Sequence, residues 1–117
     1  MLRQLTIKRS KWLRGEPGSS MLHRAKDRKL CSIGMYLESV GVSKSILTNA
    51  HLATEISDLP KEARWLIKRH SSGSILSSMA ANDLIRANDR RDLTDQEREI
   101  CISESFASQG IKITFVD

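Results

Sequence analysis

LCSIGMYLESVG, residues 30–41, is the stretch on which the fold turns. Leu30, Ile33, Leu37 and Val40 recur at helical intervals with Tyr36 beside them, and at about 100° per residue they share one stripe. Ser32, Glu38 and Ser39 fall elsewhere on the wheel. Gly41 follows the last stripe residue and suits the left-handed conformation that ends a helix. Asp27 is the candidate N-terminal cap, although the Lys and Arg around it oppose the helix dipole. The spacing predicts a buried helix on which the remainder of a small fold packs. Its stripe reads as core, not as a ligand groove.

Upstream, QLTIK at residues 4–8 alternates and predicts a short strand with Leu5 and Ile7 on one face. Gly15, Pro17, Gly18, Ser19 and Ser20 predict a turn or loop. Residues 20–24 read as a second short strand that turns through Lys26, Asp27 and Arg28 into the central helix.

Downstream, Ser43 caps a short turn reaching Ile46 and Leu47. His51, Leu52 and Ile56 are sparse apolar anchors. LPKEARWLIKRH at residues 59–70 predicts a helix: Pro60 suits its first turn, Glu62 its N-terminal end, and Lys68, Arg69 and His70 its C-terminal end. Trp65 and Leu66 would face inward, and residues 71–74, SSGS, would end it. Residues 75–87 predict a further helix through Leu76, Ala80, Leu84 and Ala87, with Met79 adjacent and Asp83 interrupting the apolar face. Thr94 and Glu97 form a capping box that opens a helix at Asp95. In that helix Ile100, Ile102, Phe106 and Ala107 share a broad side, and Gly110 ends it. IKITFV at residues 111–116 alternates as a strand and is expected to pair with the strand around Leu5 and Ile7. The predicted class is α+β: a single domain over residues 1–117, with a small antiparallel sheet that includes the N- and C-terminal strands, packed against about four helices.

The length of 117 residues suits one domain. With 39% hydrophobic and 28% charged residues the composition is that of a globular chain, not a disordered one. No apolar run approaches the roughly 20 residues needed to span a bilayer, so no membrane is expected as partner. The N-terminal residues lack a continuous apolar core and a small-residue cleavage site, so a cytoplasmic location is expected. Cys31 and Cys101 read as two free, buried thiols.

Charge is the least even property of the chain. Residues 1–29 hold nine Lys and Arg against Glu16 and Asp27, a balance of +7, whereas the remainder carries −2. The nine are Arg3, Lys8, Arg9, Lys11, Arg14, Arg24, Lys26, Arg28 and Lys29. Such a field favours a polyanion or an acidic protein surface. Lys8, Arg9, Lys11 and Arg14 surround Trp12, and cations interleaved with an aromatic ring suit phosphate and base contact. Trp12–Leu13 reads equally as a core plug covered by Lys and Arg stems. The candidate contact surface is Lys8, Arg9, Lys11, Trp12, Arg14, Arg24, Lys26, Arg28 and Lys29, with Trp12 as anchor.

Other chemistry finds little support. Cys31, near a helix start and among cations, with His23 upstream as base, would be a reactive thiol, but a third group and an oxyanion loop are missing. His23, His51 and His70 are scattered, without zinc spacing, and no phosphate-binding glycine loop occurs. No metal or cofactor is implied. In the acidic run from Asn88 to Glu99, Arg90 and Leu93 stand where a calcium loop needs an oxygen ligand and Gly. Asp83 and Asp89 are a carboxylate pair whose convergence spacing does not establish. The two helices predicted at residues 60–69 and 75–87 have the connector of a helix-turn-helix, but the second is poor in basic residues.

WLRG at residues 12–15, KLCSIGMY at 29–36, ANDRRDLTDQERE at 87–99 and GIKITFV at 110–116 together resemble a group of small uncharacterised proteins encoded by bacteriophages. That group carries a second Cys where this chain has Ser32, so no two-thiol site carries over. The resemblance implies a small accessory protein of the bacterial cytoplasm, and for such proteins inhibition of host machinery, including anti-CRISPR and other anti-defence action, is a common role. The expected function is therefore a non-enzymatic, phage-type inhibitor that binds a host protein or a protein–nucleic-acid assembly through the basic N-terminal surface. The alternative is a DNA- or RNA-binding accessory protein, and behind it a Cys-dependent enzyme.

Overall fold

The computed structural model describes residues 3–15 and 21–117. The loop expected around residues 16–20 lies outside them, as does the start of the strand expected at Ser20. The described chain mixes helices with two small sheets.

Strand β1 (Arg3–Lys8) places Leu5 and Ile7 in the core, as its alternation requires. It pairs with β4 (Ile111–Val116), and Leu5 stands opposite Ile113 and Ile7 opposite Phe115. The pairing is parallel, which corrects the antiparallel sheet expected from the sequence. The reason lies in the preceding helix, α4 (Asp95–Ala107), which packs on β4. Its end at Gly110, where φ is 76°, delivers Ile111 beside Arg3, and the Arg3 amide donates to the Gly110 carbonyl at 3.1 Å. Both strands therefore start at the same end of the sheet.

The central helix, α1 (Ser32–Ser39), is shorter than the pattern predicts. Cys31, not Asp27, is its cap: the Sγ accepts from the Gly34 amide at 3.4 Å. Asp27 is occupied earlier, where it accepts from Arg24 and from the Lys29 amide. The helix is also more deeply placed than a striped one, because Ser32, Ile33, Gly34, Met35, Tyr36 and Leu37 are all buried. Gly34 makes this possible: a Cβ there would lie 1.9 Å from the Leu22 carbonyl oxygen. The residues from Met21 to Arg24 form no strand, only a bridge between Arg24 and Lys29.

Helix α2 (Lys44–Asn49) is capped by Ser43, whose hydroxyl accepts from the Ile46 amide, and it buries Leu47. The helix expected over residues 59–70 is instead a 3-10 helix (Lys61–Leu66) followed by strand β2 (Ile67–Arg69). Strand β3 (Ile75–Ser77) pairs antiparallel with it, so Gly73, at φ 91°, serves a hairpin turn and not a helix end. Pairing overrides helix propensity here. Helix α3 (Met79–Asp89) starts only after Ser78, which accepts from the Ala81 amide at 3.1 Å. Leu84 and Ala87 are buried as expected, but Leu76 and Met79 are exposed, and Asp83 points outward to Arg86. The helix-turn-helix candidate falls with this change, because its first helix and its connector are a 3-10 helix, a strand and a hairpin turn.

In α4 the capping box is formed in both directions: the Glu97 amide donates to Thr94 Oγ1 at 3.1 Å, and the Thr94 amide to Glu97 Oε1 at 2.9 Å. Ile102 and Phe106 are buried, whereas Ile100 and Ala107 are exposed. Phe106, Tyr36 and Trp65 stack with centroid separations of 5.4–5.8 Å. The Tyr36 hydroxyl donates to the Glu62 carbonyl at 2.6 Å and accepts from Trp65 Nε1 at 3.2 Å.

Candidate functional site

Arg3 stands apart, 3.8 Å from Glu62, and the other eight N-terminal cations separate into three groups. Arg9 and Arg14 are drawn toward α4 and the chain's last residue. Arg9 makes a two-pronged contact with Glu99, both distances 2.8 Å, and reaches Asp117 at 3.2 Å. Arg14 reaches Asp95 at 3.4 Å and donates to the Arg9 and Trp12 carbonyls. Its guanidinium lies 4.6 Å from the Trp12 ring centroid, over the ring face.

Trp12 is therefore not a surface anchor, which corrects the sequence expectation. It is 1% exposed and packs on Phe115 at 5.3 Å, and its Nε1 donates to Asn88 Oδ1 at 2.9 Å. Such a ring is unavailable to a base or a partner. The reading of Trp12 as a core plug under an Arg is the one the geometry matches.

The second group lies on the turn at residues 24–29. Arg24 pairs with Asp27, Lys26 is exposed and Lys29 is half-buried. The Arg24 hydrogen bond, with help from the Lys29 amide, lowers the Asp27 pKa to about 2. The turn closes through Arg24 amide to Lys29 carbonyl and Arg28 amide to Arg24 carbonyl, each 2.7 Å. Arg28 consequently adopts φ 59°, a conformation that L residues seldom hold.

Lys8, Lys11 and Arg28 form the third group, and these three meet. They line a groove of about 590 Å³ between β1 and the α1–α2 segment. Leu5, Leu30 and Met35, all buried, form its floor. Gln4 and Thr6 of β1 stand on one side, and Glu38 and Ser39 of α1 on the other. Lys44 is a fourth cation on the lining, and its contact with Glu38 is a loose 3.6 Å between exposed groups. Lys8, Lys11 and Arg28 make no ion pair among the described residues. Lys44 lies outside the N-terminal charge run, so charge counting along the chain passes over it.

Other clefts differ in character. One beside α2 carries Glu55 and Asp58 and no cation, and one between α3 and α4 mixes Asp83 and Glu104 with Arg86 and Arg90. The first is acidic only and the second mixes both signs, so neither gathers cations as the β1 groove does.

The thiol hypothesis meets a different obstacle. Cys31 is 2% exposed, and burial pushes its pKa up to about 11. His23 Nδ1 lies 2.7 Å from Thr48 Oγ1. A thiol held protonated is a poor nucleophile. No group of His, Cys, Asp and Glu among the described residues could hold a metal ion, and none of their helices is long and apolar enough to cross a membrane.

Two buried polar residues escaped the sequence reading. Asn88 links Trp12, Ser32 and Leu13. Arg98, 2% exposed, donates to the carbonyls of Ala87, Arg90 and Leu93 and so satisfies the C-terminal end of α3. In sequence both look like members of a polar, solvated run, and no local signal separates them from it.

No known protein family, curated protein or solved structure matches this chain.

Proposed function

We propose that this chain is a non-enzymatic interaction protein that docks an anionic surface of a host protein, or of a protein–nucleic-acid assembly, through the groove lined by Lys8, Lys11, Arg28 and Lys44. The observation that carries this reading is the meeting of Lys8, Lys11 and Arg28, without carboxylate partners among the described residues, over a buried apolar floor. Cations left uncompensated on a concave wall focus the field outward and steer an anionic partner. The apolar floor offers burial that a bare phosphate backbone would not use. The resemblance to small phage proteins directs the choice of partner toward bacterial host machinery and its defence systems, where such a protein would act as an inhibitor.

Direct binding of DNA or RNA would use the same cations, but Trp12, the ring that would stack a base, is buried. The protein-docking reading is therefore preferred.

The test compares two triple charge reversals with the same change in net charge. One replaces Lys8, Lys11 and Arg28 with Glu, and the other replaces the exposed Lys61, Lys68 and Lys112. On immobilised heparin, a polyanion, the groove variant should elute at clearly lower salt than the control variant. In affinity capture from bacterial lysate, the groove variant alone should lose the proteins retained by the wild type. Equal behaviour of the two variants in both assays would reject the groove.

A further inference from the structure

Among the described residues, strand β1 has a partner on one edge only. The register places Arg3 opposite Ile111, and the Arg3 amide donates to Gly110. In a parallel ladder alternate residues make both bonds to the neighbour, so Arg3, Leu5 and Ile7 direct their peptide groups to β4. Gln4, Thr6 and Lys8 direct theirs to the opposite edge. These same three residues line the cationic groove. The groove thus holds a row of backbone donors and acceptors that have no backbone partner among the described residues, beside an apolar floor and four cations.

An open strand edge is a template for another strand. Its occupant must be extended, to pair with β1. It must be acidic, because Lys8, Lys11, Arg28 and Lys44 face it against the single carboxylate of Glu38. It must alternate, because one face of an added strand would rest on Leu5, Leu30 and Met35 while the other met the cations. We infer that the free edge of β1 receives an extended acidic segment of the partner protein as an added strand. The inference rests on the groove being the docking site, and adds to it the secondary structure and composition of what docks.

The probe is a fluorescent peptide of about ten residues, alternating Glu with Val, long enough to cover a strand of ordinary length. Its binding to the full chain is read by anisotropy at about 150 mM salt, where diffuse attraction is screened. A second peptide carries N-methyl groups at alternate residues, which removes the edge hydrogen bonds and keeps every charge. In the protein, Thr6→Pro removes a donor that points away from β4, so the β1–β4 ladder is spared. Saturable binding is expected, weakened about tenfold or more both by N-methylation and by Thr6→Pro, as the loss of one or two hydrogen bonds predicts.

No saturable binding, equal binding of the N-methylated peptide, or tighter binding of a labelled single-stranded DNA than of the peptide would overturn the inference. If reversal of Lys8, Lys11 and Arg28 weakens binding while N-methylation does not, the docking groove stands and strand addition fails. If the reversal has no effect, both fail. Should Thr6→Pro not fold, the two peptides on the wild-type chain decide the matter alone.

Discussion

The indole Nε1 of Trp12 donates to Asn88 Oδ1 at 2.9 Å, joining the segment after β1 to the last turn of α3. The same oxygen accepts from the Ser32 amide at 3.2 Å, and Asn88 Nδ2 donates to the Leu13 carbonyl at 2.9 Å. Asn88 is 1% exposed, so these groups have no access to water when the contact is lost. Asn88→Leu keeps the branched shape but removes the polar atoms that serve two donors and an acceptor. A destabilisation of about 3 kcal/mol is expected, read from the urea midpoint at unchanged slope.

Gly34 faces the Leu22 backbone so closely that any Cβ must displace main chain. Gly34→Ala should cost at least about 3 kcal/mol, more than its helix-propensity gain returns. Gly110 is the contrast: a Cβ there meets nothing within 4 Å, and only the positive φ opposes it. Gly110→Ala should cost about 1 kcal/mol. Equal melting temperatures for the two variants would mean that α1 does not sit on Leu22 as described.

The two thiols should differ sharply in reactivity. Cys31 is buried with its pKa pushed up to about 11, whereas Cys101 is half-buried on α4. In native protein at neutral pH, a disulfide reagent should label Cys101 first, with Cys31 reacting only as the chain unfolds. Early labelling of Cys31 in a Cys101→Ala variant would reopen the nucleophile reading.

The turn at residues 24–29 should respond to acid. Asp27 has its pKa lowered to about 2, first by the Arg24 hydrogen bond. A depressed folded-state value means that the stabilisation is fully present above the ordinary value of 3.8 and is lost as pH falls toward 2. A carboxyl titration followed by NMR should give a midpoint near that value, returning toward 3.8 in Arg24→Met. The Arg28 amide resonance should move with it, because the same turn holds that residue at positive φ.

Much of this architecture is legible along the chain, and the misses share a cause. The strands at Leu5–Ile7 and Ile111–Phe115 alternate visibly, and Thr94 with Glu97 is a local signal whose partners are three residues apart. Along the chain the hairpin of β2 and β3 looks like the end of one helix and the start of another, because Lys68 and Arg69 suit a helix terminus and only pairing with Ile75 and Leu76 reveals a strand. Direction of the β1–β4 pair is likewise a property of the path between them, which no local pattern records. For the candidate site, the excess of Lys and Arg is plain in the sequence. Which of them lack an ion pair among the described residues is not, because Glu99, Asp95 and Asp117, distant in sequence, neutralise Arg9 and Arg14. Lys44 enters the groove for the same reason in reverse.

The parallel register of β1 and β4 also fixes how the molecule bears load. Arg3 lies at one end of the ladder and Val116 at the other, since Arg3 pairs with Ile111 and Lys8 with Val116. Tension entering at Arg3 and leaving at Val116 pulls the two strands past one another along their length. All the bonds between them are then strained in shear together, whereas an antiparallel pair held at its ends would open one bond at a time. Under an atomic-force probe attached at those two residues, this small sheet should act as a mechanical clamp, yielding in a single event at high force and not peeling gradually.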